Sequence, residues 1–127
     1  MIFSADWLIA GTVDLFCKRP DGKYIIGDWK TNEKLSTEGF NRQTMMPPIE
    51  TLQDCNMTHY ALQMSLYELI LRREGHIAPG NAVTDRWIIH IPPNQSTPIW
   101  IPMPDYKLEA IAMVYEHCCQ GFKAIPF

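Results

Sequence analysis

The triplet Pro20-Asp21-Gly22 forces the chain to reverse direction. Proline presets φ at the first corner of a turn, and glycine accepts the positive φ that a later corner often needs. Extended-favouring runs lie on both sides. Residues 7–18 carry Trp7, Ile9, Val13 and Phe16 among their apolar positions, and residues 23–30 read KYIIGDWK. A strand, a turn and a second strand are therefore expected. Such a hairpin decides which distant residues can meet. It sets Asp14 near the end of one strand, and Asp28 and Lys30 near the end of the next.

Two carboxylates at the ends of adjacent strands repel each other unless positive charge lies between them. A divalent cation answers that need, because Mg²⁺ takes oxygen ligands and commonly one or two carboxylates plus waters. Asp14 and Asp28 would each supply a carboxylate. The backbone carbonyl of Trp29 would add a third oxygen, with the Trp29 side chain turned into the core by strand alternation. Lys30 falls two residues after Asp28 and so projects from the same face. Near a metal and a scissile phosphate its ammonium can stabilise developing negative charge, or hold the attacking water. The plainer alternative is a surface ion pair across a hairpin, which contributes little to stability.

The remaining chain supplies the frame. Residues 2–5 read as extended, and residues 31–57 as a long excursion interrupted by Gly39 and Pro47-Pro48, with room for short helical turns. A loop of that length in a compact domain is often functional. From Asn56 or Thr58 to about Glu74 the pattern is helical, with Gly75 as the stop. Ala61, Leu62, Leu66, Leu69 and Ile70 form its apolar face, while His59, Gln63 and Tyr67 recur every four residues as a polar stripe. Strands follow at 86–91 and 98–102. Asp105 is placed to cap a last helix over 106–120, which Gly121 would end. The order strand, strand, helix, strand, strand, helix predicts an α+β (mixed α/β) sandwich of a sheet with packed helices.

Composition narrows the classes. With 127 residues, 46% of them hydrophobic and 20% charged, the chain has the make-up of one globular domain spanning residues 1–127. No apolar run reaches the ~20 residues of a membrane helix, and the opening MIFSADWLIAG does not read as a signal peptide. Cys17, Cys55, Cys118 and Cys119 form no Cys-x-x-Cys pair, so reduced thiols in a cytoplasmic compartment are expected rather than a zinc or iron–sulfur site. A net charge of −3 argues against a generally basic, nucleic-acid-coating protein. It leaves room for a positive rim around an acidic, metal-binding pocket.

Three segments, GTVD at 11–14, IIGDWKT at 25–31 and YALQMSLY at 60–67, together resemble the PD-(D/E)XK nuclease superfamily in its RecB-like exonuclease branch. That branch carries Gly-x-x-Asp, then Asp-x-Lys, then Gln-x-x-x-Tyr on a helix, and the likeness covers roughly residues 8–72. It implies a restriction-endonuclease-like core, with a central mixed sheet flanked by helices. It also implies Mg²⁺, replaceable by Mn²⁺, on Asp14 and Asp28, a catalytic Lys30, and Gln63 and Tyr67 flanking the site. DNA would be the substrate, in recombination, repair or phage DNA metabolism, with fusion or association with a helicase or recombination protein. Such nucleases usually carry a preceding helix with a further acidic residue. The stretch before Asp14 is too short for it, so the chain is expected to lack that first core helix and to be a fragment of a longer nuclease.

Plainer roles stand beside these. Thr31, Lys34, Arg42 and His59 are candidate nucleic-acid contacts, as are Arg72 and Arg73, although the two arginines also suit a helix C-terminus. Thr31 can equally cap a turn, and His59 can face solvent or cap the helix. His90, in a strand, is read as turned to water, and the MMPP segment at 45–48 as a loop anchor. Two further functions compete with the nuclease: a catalytically inactive nuclease-fold module for nucleic-acid binding or assembly, and a small-molecule metallohydrolase.

Overall fold

A computed structural model describes residues 1–31, 34–80, 83–94 and 96–120. Its first surprise is the extended run before the turn. Instead of one strand over 7–18, the chain forms β1 (Ile2–Ser4) and β2 (Ile9–Gly11), which pair antiparallel as a small ribbon, and then a separate β3 (Leu15–Lys18). Trp7 belongs to the turn between β1 and β2, where Leu8 adopts φ +53°. The break at residues 12–14 arises because β2 and β3 take different partners. β2 pairs with β1, while β3 pairs with β4 (Tyr24–Lys30).

The Pro20-Asp21-Gly22 reversal forms as the turn chemistry requires. Gly22 takes φ +86° and donates its N–H to the Arg19 carbonyl (2.9 Å), while Asp21 Oδ1 accepts the Lys23 N–H (3.0 Å). After β4 comes the excursion, with a 3₁₀ turn at Phe40–Arg42 and a β-bridge between Thr44 and Gln53. Then follow α1 (Asn56–Arg73), β5 (Val83–His90), β6 (Ile99–Pro102) and α2 (Lys107–Cys119). β5 thus begins three residues earlier than the pattern suggested and ends at His90. Tyr106, not Asp105, occupies the cap position of α2; Asp105 Oδ1 instead accepts the Lys107 N–H at 2.9 Å. Gly121 lies outside the described residues.

The second sheet has the order β3-β4-β5-β6, with antiparallel, parallel and antiparallel pairings in turn. Parallel neighbours need a crossover, and α1 lies within the one joining β4 to β5. The architecture is α+β, as the element order predicted. Strand alternation gives the sheet two different faces. Ile26 and Ile88 are fully buried with Ala61, Met64 and Leu71 of α1, and each of the larger side chains contributes about 1.5–3 kcal/mol by its burial. Asp28 occupies the same face. Trp29 must therefore point the other way, and it is 48% exposed. This corrects the expected core position: the face that packs on α1 at this point of β4 is the one Asp28 takes, and Trp29 lies on the other.

Helix α1 is buried on nearly every side. Leu66 and Ile70 pack on Ala110 and Val114 of α2, while Met45 and Ile49 fold back onto Leu62 and Met113. Met45 thus anchors the excursion, whereas Met46 is exposed. Glu68 sits at the centre, with no exposed surface. It is ringed by Arg86 of β5, by Arg72 (Nε to Oε2, 2.8 Å) and by Lys107 of α2 (Nζ to Oε2, 3.2 Å). Buried carboxylates demand cations, and so Arg72 is committed here. Arg73 pairs with Asp6 and lies over the Trp7 ring. The two arginines therefore serve the fold, and their expected role as phosphate contacts is not supported by these positions.

Candidate functional site

The site begins with a glycine. A side chain at Gly11 would meet the Tyr67 ring, with Cε1 2.5 Å from an added Cβ. Glycine lets the Tyr67 ring lie against the end of β2. The Tyr67 hydroxyl accepts hydrogen bonds from Gln63 Nε2 (2.7 Å) and from the backbone N–H of Thr12. Burial is the main influence holding its pKa above the usual tyrosine value, so it stays protonated. Gln63 and Tyr67, one turn apart on α1, thus act as a unit that braces the backbone two residues before Asp14.

Asp14 stands where the chain leaves β2 and enters β3. Its Oδ2 accepts the Trp29 N–H at 3.1 Å. In an extended strand the N–H and C=O of one residue point to the same side, so the Trp29 carbonyl also faces Asp14. The Asp14 and Asp28 carboxyl groups lie within hydrogen-bonding reach of each other. Lys30 Nζ is 2.7 Å from Asp28 Oδ2. The residues expected to converge do so: Asp14, Asp28, Lys30, Gln63 and Tyr67 meet at one end of the sheet.

Electrostatics separates the two carboxyls. The hydrogen bond from Asp28 is the main cause holding Asp14 below the usual carboxylate range, with the Trp29 N–H and Lys30 adding to it. Burial, then the Asp14 partner, push Asp28 up to about 6 despite Lys30. Below that pH the pair shares one proton, carried by Asp28. Like charges this close favour either a proton or a cation between them.

This donor set fits Mg²⁺ better than zinc. No group of three or more His, Cys, Asp or Glu residues suited to a metal occurs among the described residues. Mg²⁺ needs fewer protein ligands, since it retains several waters alongside one or two carboxylates. Asp14, Asp28 and the Trp29 carbonyl would hold it.

A cleft of about 720 Å³ opens beside Lys30. Its walls come from the excursion (Ser36, Glu38, Phe40, Asp54) and from the start of α1 (Asn56, His59, Tyr60, Gln63). Lys30 Nζ lies over the Tyr60 ring, 4.4 Å from its centre, so the ammonium is steered by a carboxylate and an aromatic face together. Tyr60 was missed in the sequence; its position three residues before Gln63, on an adjoining helix face, was the available signal. Asp54 was missed as well. Its Oδ1 is 2.8 Å from His59 Nε2, so His59 lines the cleft with a carboxylate partner rather than standing free in solvent.

The other candidates are scattered. Thr31 is exposed immediately after Lys30. Lys34 is exposed, and its backbone carbonyl accepts the Asn56 side-chain amide (3.1 Å). Arg42 is exposed at the end of the 3₁₀ turn with φ +57°. None of these three lines the cleft. His90 is buried at β4's parallel neighbour, opposite Lys30, and not turned to water as its alternating strand suggested. α1 covers this face of the sheet, which explains the difference.

Comparison with protein-family models, with curated proteins and with solved structures finds no match. No helix among the described residues is long and apolar enough to cross a membrane.

Proposed function

We propose that this chain is a metal-dependent DNA nuclease of the PD-(D/E)XK type, with the RecB-like exonucleases as the branch its motifs resemble. One observation carries the reading. The carboxyls of Asp14 and Asp28 converge, and Lys30 Nζ stands 2.7 Å from Asp28. Three motifs separated along the chain are thereby gathered into one constellation. The mixed β3-β4-β5-β6 sheet with α1 in its crossover is compatible with a restriction-endonuclease-like core.

In this reading Asp14, Asp28 and the Trp29 carbonyl hold Mg²⁺ or Mn²⁺. The ion, when bound, supplies charge stabilisation for the phosphate and a lowered pKa for its water. Lys30 contributes a fixed positive charge where negative charge develops on phosphorus, and can orient the attacking water. Tyr60 and Asp28 hold that ammonium in place. Gln63 and Tyr67 act at one remove, as positioning residues that set the backbone leading to Asp14. Preorganisation of this kind supplies much of an enzyme's acceleration.

The competing reading is a catalytically inactive nuclease-fold module that binds nucleic acid. Incubation with linear DNA and Mg²⁺ or Mn²⁺ separates the two. Metal-dependent cleavage that Asp28→Ala and Lys30→Ala both abolish, with folding intact by circular dichroism, is expected. Metal-independent binding without cleavage would replace the enzyme with the binder.

A further inference from the structure

The excursion displays an aromatic side chain at considerable local cost. Phe40 is 83% exposed at the wall of the cleft. It opens a 3₁₀ turn in which Asn41 (φ 53°, ψ 33°) and Arg42 (φ 57°) adopt left-handed backbone, which asparagine tolerates and arginine disfavours. The turn is nevertheless tightly tied. Gly39 N–H donates to Gln53 Oε1 (3.2 Å), Arg42 N–H to the Gly39 carbonyl (2.9 Å), and Asp54 N–H to the Gln43 carbonyl (2.9 Å). A side chain at Gly39 would run into the Gln43 and Asp54 carbonyl oxygens, so glycine is required there. Strain held by this many bonds, next to a site, points to a displayed group with a use.

Phe40's surroundings in the cleft select the partner. Ser36, Glu38, Asn56 and the Asp54–His59 pair line the same space. Two aromatic rings, Phe40 and Tyr60, set among polar groups are unlike the contiguous apolar patch that docks a protein. They suit a flat ring with polar edges, and the cleft volume of about 720 Å³ falls within the roughly 300–1,000 Å³ typical of small-molecule sites. Glu38, two residues from Phe40, repels phosphate, whereas Lys30, lining the same cleft, attracts it.

We propose that Phe40 is a base-stacking residue: the cleft takes an unpaired nucleotide of single-stranded DNA, with its base on Phe40 and its phosphate toward Lys30. A paired base inside a duplex has no free face for the ring, so the contact selects unpaired strands. The phosphate's direction rests on the nuclease reading; the stack does not.

Fluorescence anisotropy in Ca²⁺, which withholds cleavage, tests it with a labelled short oligothymidine and a blunt duplex of equal length. The wild-type chain should bind the single strand more tightly. Phe40→Ala should weaken that binding roughly 5- to 100-fold, and Phe40→Trp should preserve it while Phe40→Leu does not. Phe40 is exposed, so the variants should unfold at the wild-type urea midpoint. Equal affinity for Phe40→Ala, full affinity for Phe40→Leu, or preference for duplex would each overturn the proposal. A parallel Mg²⁺ reaction keeps the two readings apart. Binding through Phe40 without cleavage removes the nuclease and leaves the stack; duplex cleavage that Phe40→Ala leaves at the wild-type rate removes the stack and leaves the nuclease.

Discussion

Replacing Asp28 by asparagine should stabilise the metal-free protein, an uncommon result for a buried residue. Asp28 is 6% exposed, and its carboxyl is pushed up to about 6 from an ordinary 3.8. At about 1.4 kcal/mol per pKa unit, ionised Asp28 opposes folding by about 3 kcal/mol at neutral pH. That figure already includes the attraction of Lys30. Asparagine imitates the protonated acid, since its amide can donate to Asp14 as the carboxyl proton does. Asp28→Asn should therefore gain about 1–3 kcal/mol at pH 7.5 in EDTA. The sign of the pH dependence follows from the direction of the shift. A raised folded pKa means the wild-type contribution is complete below about 3.8 and is lost as pH rises through about 6. Asp14, with a depressed pKa, contributes above its ordinary value and loses that contribution as pH falls lower still. Between about pH 4 and 6 the difference between variant and wild type thus isolates Asp28. Urea denaturation at pH 4, 6 and 7.5 should show the gap opening toward neutral pH. Added Mg²⁺ should then raise the wild-type stability and leave the variant unmoved, because only a ligand that binds the folded chain shifts the equilibrium. A less stable variant at pH 7.5 in EDTA, or a gap independent of pH, would refute the reasoning.

Other perturbations test the frame around this pair. Gly11→Ala pushes a methyl into the Tyr67 ring; it should cost about 1–3 kcal/mol in urea titrations and lower cleavage, since the backbone leading to Asp14 must shift. Tyr67→Phe deprives Gln63 Nε2 and the Thr12 N–H of their acceptor and should destabilise by about 1–3 kcal/mol; its DNA affinity in Ca²⁺ should stay near wild type, since the hydroxyl faces protein. Glu68→Gln leaves Arg72, Arg86 and Lys107 gathered around a neutral group, so a loss of about 3–5 kcal/mol is expected by thermal or urea denaturation.

The local grammar of the chain was legible without coordinates. Pro20-Asp21-Gly22 determined a reversal, α1 showed itself by periodicity ended at Gly75, and strand alternation placed Asp28 and Lys30 on one face. These depend on neighbours within a few residues, where sterics and hydrogen bonding act through the backbone itself. Tertiary structure decided what alternation leaves open, namely what each face meets. β2 pairs with β1 rather than β4, which interrupts the predicted long strand just before Asp14. Trp29 turns outward because Asp28 takes the helix-facing side, and Arg72 turns to Glu68, whose burial comes from β5 and α2 rather than from its own helix. The cleft is the clearest case. Phe40, Asp54 and Tyr60 lie ten or more residues along the chain from Lys30, and only the folding of the excursion against α1 brings them into one cleft with it, Tyr60 against its ammonium. Contacts between segments distant in sequence are chosen by the packing of the whole chain, and no periodicity within one segment encodes them.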